Sequence, residues 1–142
     1  MKNEFRLTVS SKSINEGFAR VVVSSFVTPL DPTLEELADL KTAVSEAVTN
    51  SIVHGYKDKF GKIYISGTIK DNVVKIIIRD KGCGIENIEK AMTPLFTTGG
   101  EDRAGLGFTV MESFCDRLSV RSKPGSGTSV TLVKTIEGKS KW

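Results

Sequence analysis

The hydrophobic positions change period several times along the chain, and each change marks an element. Phe5, Leu7 and Val9 alternate with Arg6 and Thr8, the period of a half-buried strand. From Ser13 the period becomes helical. Ser13-x-x-Glu16 reads as a capping box, and Ile14, Phe18, Val21, Val22 and Ser25 share one face, the one expected to pack on the core. Pro29 ends this helix. A second helix starts at Asp31-Pro32 or at the Thr33-x-x-Glu36 box and runs to about Tyr56, before Gly61. Its core stripe is Leu37, Leu40, Val44, Ala47, Val48 and Ser51. Alternation returns at Ile63, Ile65 and Ile69, set against Tyr64, Ser66 and Thr68, and Asp71-Asn72 turns the chain into a strand over Val73–Asp80. A short helix is expected over Ile88–Met92, a mobile loop over the polar, aperiodic Thr93–Ala104, and a helix over Gly105–Phe114. Leu118–Ser122 and Thr128–Ile136 form a closing hairpin across Pro124-Gly125-Ser126-Gly127.

Three of the connections in this order are too short for parallel crossovers. The expected fold is therefore α/β, a two-layer sandwich whose mixed sheet is mostly antiparallel with its helices on one face. A length of 142 residues suits one domain spanning the whole chain.

Composition removes several function classes. The 20 Lys and Arg against 17 Asp and Glu leave a net charge of +3, spread without a basic block, so no direct nucleic-acid contact is expected. Cys83, Cys115 and one histidine cannot complete a four-ligand zinc site, and Cys115, late in an apolar helix, reads as a small buried thiol. The opening Met1-Lys2-Asn3-Glu4 lacks a signal-peptide run and no stretch approaches membrane-spanning length. A soluble, cytoplasmic chain without membrane contact is expected.

Three segments could carry chemistry. Glu46, Asn50 and His54 follow one another at four-residue steps along the second helix and form one polar strip; Glu46 lies roughly opposite Val44 and Val48, and Asn50 at the edge of the core stripe. A solvated helix face would account for the strip alone, although an Asn in mid-helix is a weak helix former. Asp80-Lys81-Gly82-Cys83-Gly84 follows a strand directly, and strand parity turns Asp80 the same way as Val74, Ile76 and Ile78. A carboxylate at the end of an apolar face needs a donor: its own Gly-rich turn, or a ligand such as an exocyclic amine. Arg103-Ala104-Gly105-Leu106-Gly107 opens an apolar helix, where glycines let backbone N–H groups approach phosphate oxygens; ordinary helix entry would look the same. Better-known signatures fail. Gly138-Lys139-Ser140 has Val133 where a P-loop needs glycine, Asn87 and Val110 hold the third places of Gly-x-Gly-x-x-Gly, and no Gly-x-Ser-x-Gly or His-Arg-Asp occurs.

Taken in order, Glu46…Asn50…His54, Asp80-x-Gly82-x-Gly84, a loop, Gly105-x-Gly107 and Gly127-Thr128 resemble the motif series of the GHKL ATP-binding superfamily, over about residues 35–135. Glu46-Ala47-Val48-Thr49-Asn50, Ile52-x-His54-Gly55-Tyr56, Pro94-Leu95-Phe96-Thr97-Thr98 and Gly107-Phe108-Thr109-Val110-Met111-Glu112 are similar to its freestanding anti-sigma factor serine kinases of sporulation, and the run Ser13 to Arg20 fits them too. One departure is Arg103-Ala104 before Gly105, where histidine kinases carry a longer Gly-rich run.

The resemblance implies a GHKL fold, ATP or ADP as ligand, and Mg²⁺. It implies that Asp80, in the loop through Gly82, binds the adenine amine with Gly84 and Thr128 beside the base. Asn50 would coordinate the Mg²⁺ that bridges the phosphates. Thr93–Ala104 would be an ATP lid, with Thr97 and Thr98 near the nucleotide and Arg103, Gly105, Leu106 and Gly107 at the phosphates. Glu46 would be the general base. The partners implied are a sigma factor, which is bound and inhibited, an anti-anti-sigma protein phosphorylated on serine, and a second copy of the chain. Phe5–Val27 lies outside the nucleotide motifs and is left for dimer or partner contacts. Arg20, a lone cation in an apolar run, is the single candidate there, although an exposed Arg with its stem along the helix accounts for it as well.

Three other functions compete. An ATP-driven machine of the gyrase or MutL type needs a second domain, which 142 residues do not accommodate. A detached histidine-kinase catalytic domain generally lacks an acid at the place of Glu46. A nucleotide sensor without turnover has no use for Glu46.

Overall fold

A computed structural model of the protein describes residues 1–57, 59–85 and 102–139, with the backbone alone for 102–106. The elements are β1 (Lys2–Ser10), α1 (Ile14–Val27), a 3-10 turn (Thr28–Leu30), α2 (Leu34–Asn50), a π turn (Ser51–Gly55), β2 (Lys62–Lys70), β3 (Val73–Asp80), α3 (Asp102–Phe114), β4 (Arg117–Lys123) and β5 (Gly127–Thr135).

Five strands form one sheet in the order β1-β2-β3-β5-β4. All four pairings are antiparallel, so the parallel component expected of a mixed sheet does not occur among the described strands. The reason is topological. After β3 the chain passes through α3 and lays β4 at the far edge, two places away, and β5 then returns antiparallel into the gap. The two-layer arrangement holds: β2, β3 and β5 turn Ile63, Ile65, Ile69, Val74, Ile76, Ile78, Val130 and Leu132 toward the helices, where they meet Leu40, Val44, Ala47 and Val48 of α2 and Phe108 and Met111 of α3.

α2 starts where its capping box predicts. Glu36 N donates to Thr33 Oγ1 at 3.1 Å and Thr33 N to Glu36 Oε1 at 2.9 Å. The same carboxylate accepts from the backbone of Glu137 (2.6 Å) and Gly138 (3.1 Å), which ties the chain beyond β5 to the start of α2.

α1 departs from expectation twice. Ser13 sits in a helical conformation and its side chain caps nothing, while the Glu16 carboxylate turns to Ser45 and Arg20. The buried face is Ala19, Val23 and Val27, whereas Ile14, Phe18 and Val21 are 79%, 49% and 63% exposed. Small and β-branched residues at four-residue spacing let α1 approach the core closely, and this outweighs the larger stripe. Cys115 lies one residue beyond α3 and is only half-buried, although that burial still pushes its thiol up to about 11.

α3 begins at Asp102, so Asp102–Ala104 is helix and not loop. The expected helix over Ile88–Met92 and the rest of the expected lid fall on residues 86–101, outside the described residues. Among the described residues no helix is long and apolar enough to cross a membrane.

Candidate nucleotide site

β3 delivers Asp80 as its last inward position, and the carboxylate is only 4% exposed. Its oxygens are held by the protein's own donors: Ser51 Oγ donates to Oδ2 at 2.9 Å, and the backbone N–H groups of Gly82 and Thr128 to Oδ1 at 2.9 and 3.3 Å. Burial raises the carboxyl pKa above its ordinary value, against the opposing pull of Gly82, Ser51 and Thr128.

Ser51 reaches Asp80 because α2 continues as a π turn over Ser51–Gly55, where the sequence reads as ordinary helix. Such a widened turn is frequent at functional sites. It also brings Gly55 against Asp80, where a Cβ would lie 2.9 Å from Oδ2. Gly55 therefore keeps open the space beside the carboxylate. Gly82 abuts the carbonyl of Gly55, and Gly127, at a φ of +108°, abuts that of Asp80; a side chain at either would overlap backbone. Gly84, at +76°, packs on the carbonyl of Lys123 and docks the loop onto the β4–β5 turn. Thr128 Oγ1 lies 2.8 Å from Ser122 Oγ.

One turn and more up α2, Glu46 and Asn50 meet α3 at Gly107. A Cβ on Gly107 would lie 3.3 Å from Glu46 Oε2 and 3.3 Å from Asn50 Oδ1 and Nδ2. The Glu46–Asn50 strip and the Gly105-x-Gly107 motif are thus in contact. Asn50 Nδ2 is buried and has no hydrogen-bond partner among the described residues. A buried amide without a partner is costly, and its two ends interchange by a flip, so the position suits either a donor to phosphate or a hard oxygen ligand to a cation. Among the described residues no three His, Cys, Asp or Glu side chains cluster to hold a metal. Where such a cage is lacking, Mg²⁺ is held through a few protein oxygens and the substrate's phosphates.

Residues 12–134 match the model of the histidine kinase-like ATPase domain. The chain belongs to that family. It is 54% identical over 138 residues to the anti-sigma F factor of Bacillus subtilis, covering 96% of this chain and 94% of that one. It is 58% identical over 135 residues to the anti-sigma F factor of a Thermoanaerobacter species, covering 94% of each. Both identities exceed what a shared fold alone requires, and they place the chain among the GHKL-type anti-sigma factors. The fold is also that of a solved structure of the RsbU and RsbW domains of a Mycobacterium tuberculosis protein, with a TM-score of 0.68 and 18% identity over 94% of this chain and 32% of that one. A kinase-like, nucleotide-binding domain follows from the family.

Of the sequence candidates, Asp80, Gly82 and Thr128 come together at one end of the site, and Glu46, Asn50 and Gly107 at the other. Arg103, Gly105 and Leu106 lie in the first turns of α3, where the backbone alone is described, and Thr97 and Thr98 lie outside the described residues. Arg20 lies on α1, outside the nucleotide motifs, with Nε 3.0 Å from Glu16 Oε1. Sequence reasoning missed Ser51 and Gly55 as parts of the site. A serine within an apolar stripe, directly after Asn50, was the available signal.

Proposed function

We propose that the chain is an ATP-dependent protein-serine kinase and anti-sigma factor, which binds and inhibits a sporulation sigma factor and phosphorylates its anti-anti-sigma partner on serine. The observation that carries this reading is the meeting of Glu46, Asn50 and Gly107. Asp80 holds the adenine amine through the gap that Gly55 leaves, with Gly82, Gly84 and Thr128 shaping the pocket. Asn50, whose buried amide lacks a partner among the described residues, would hold Mg²⁺, which would supply positive charge against the phosphates. Gly105, Leu106 and Gly107 present backbone N–H groups to the phosphates, assisted by Arg103. Glu46, outside the core stripe, takes the proton from the acceptor hydroxyl as its oxygen attacks the γ-phosphorus and ADP leaves. Thr97 and Thr98 complete the nucleotide contacts from the lid.

Nucleotide state then decides which partner is held. The exposed Ile14, Phe18 and Val21 row on α1 supports partner or homodimer contacts in this segment, with Arg20, on the side of α1 toward α2, as its single charged candidate. One cytoplasmic domain over the whole chain completes the reading. Incubation with γ-labelled ATP, Mg²⁺ and a candidate anti-anti-sigma protein tests it. Label on a partner serine is the expected result, and phosphate release without label would point to an ATP-driven machine.

A further inference from the structure

The outer face of α2 carries Ala38, Lys41, Thr42 and Ser45 at spacings of three and four residues, so they stand in one row. α1 closes one side of it. Ser45 Oγ donates to Glu16 Oε1, the same oxygen that pairs with Arg20. Between the helices lies an open cleft of about 290 Å³, lined by Arg20, Ala38, Lys41, Thr42, Ser45 and Glu46. Glu46 therefore has two neighbourhoods, with Asn50 and Gly107 on one side and this cleft on the other. A base that accepts a proton during transfer must stand where donor and acceptor meet. The nucleotide motifs account for the first side and leave the cleft for the second.

The two cations of the cleft are not equivalent. Arg20 is compensated through Nε by Glu16. Lys41 is half-buried, yet it forms no ion pair among the described residues, where the only other pairs are Lys134–Asp39 and Lys139–Asp31. Its ammonium is a flexible point charge with three donors. Five residues of helix, a rise of about 7.5 Å, separate it from Glu46. This distance suits a group beside the reacting serine better than the phosphoryl group itself.

Resting on the kinase reading above, we propose that this cleft is the acceptor side of the transfer site. Lys41 selects the acceptor there by pairing with an acidic side chain carried next to its serine. Lys41 acts on acceptor binding and leaves the chemical step to Glu46.

The test is steady-state transfer from ATP to the purified acceptor protein at varied acceptor concentration. Lys41→Ala is expected to raise the acceptor KM by about five- to twentyfold, with kcat and ATP affinity within about twofold of wild type. Lys41→Glu should raise KM further, and Lys41→Arg, which keeps a cation, should stay near wild type. Matching thermal melting of the Arg and Glu variants guards against a folding defect in either. An unchanged acceptor KM in both Lys41→Ala and Lys41→Glu overturns the proposal, as does a fall in kcat alone. If those variants behave as wild type while the wild type labels its acceptor, the kinase reading stands and only the role of Lys41 fails. If the wild type labels no acceptor at all, the kinase reading fails and takes this inference with it.

Discussion

At Asp80 the glycines stand against backbone: Gly82 on the carbonyl of Gly55, Gly127 on that of Asp80. At Asn50 the corresponding glycine stands against the ends of two polar side chains, with 3.3 Å left for a Cβ. The first end is closed and satisfied, since Asp80 has three donors of the protein's own. The second is open, since Asn50 Nδ2 is buried without a partner among the described residues. One end is thus built as part of the fold and is ready before any ligand arrives. The other is left for a ligand to complete. Substitutions at the first should cost affinity or stability; at the second, loss of Glu46 should cost rate alone, and loss of Asn50 should cost rate together with Mg²⁺-dependent binding.

The largest expected effect is at Glu46. It lies off the core stripe, so Glu46→Gln should keep the fold and bind ATP nearly as wild type. Loss of a general base should slow phosphoryl transfer by about 10²–10⁴ in single-turnover measurements. A wild-type rate would remove Glu46 from the mechanism, and a loss of ATP binding would make the two ends alike. Asn50→Ala should instead lose Mg²⁺-dependent binding and transfer together.

Next is Asp80→Asn. The amide keeps one oxygen for the Gly82 and Thr128 N–H groups, and the Ser51 hydroxyl can turn to accept, so the fold should hold. The lost charge-assisted acceptor is worth about 1.5–3 kcal/mol, or roughly 10- to 100-fold in ATP affinity by calorimetry. Equal affinity would break the adenine assignment. Titration sharpens the same point. Burial raises the Asp80 carboxyl pKa, so between the ordinary carboxylate value and the raised one the folded state binds more protons than the unfolded state. Stability should therefore fall as pH rises through that window. Nucleotide affinity should rise over the same window, because the ionised carboxylate is the better acceptor. Asp80→Asn should flatten both slopes.

How much of this was legible depended on whether one residue or several decided it. Asp80 was legible because strand parity alone turns it inward, and the Thr33–Glu36 box because its two partners lie three residues apart. The face of α1 was not. Its larger stripe of Ile14, Phe18 and Val21 follows the helical period, but the buried face is set by how closely Ala19, Val23 and Val27 let α1 approach the core, and by Glu16 turning to Ser45 and Arg20. Those partners are distant in sequence. The π turn was hidden for the same reason: only the position of Asp80 shows why Ser51 and Gly55 leave the regular helix. The meeting of Glu46 with Gly107, 61 residues apart in sequence, was legible only through the ordered motif series.

A smaller effect in stability is expected at Gly82→Ala. The added Cβ meets backbone, which cannot rotate away, so the loop must shift at a cost of about 1–3 kcal/mol, read as a lower denaturation midpoint. A wild-type midpoint would show that the Asp80 end is less rigid than its contacts imply.

The smallest expected effect, and the one that divides the two ends most sharply, is at Gly107→Ala. Gly107 lies within α3 and its φ is not in the left-handed region, so the backbone accepts alanine. Alanine for glycine in a helix contributes about 0.5–1 kcal/mol. The methyl group would stand 3.3 Å from Glu46 Oε2 and from the Asn50 amide, closer than ordinary contact, and both are ends of side chains that can give by a few tenths of an ångström. Stability should therefore hold or rise slightly while the two groups are displaced. Since a misplacement of a full ångström costs about 10²-fold, a shift of this size should slow transfer by only about three- to tenfold. Melting and single-turnover transfer on the same preparation check both halves. A variant that melts lower, as Gly82→Ala should, would mean that Gly107 is framework after all. One that melts as wild type and transfers at the wild-type rate would mean that Glu46 and Asn50 do not act from the positions they hold beside Gly107.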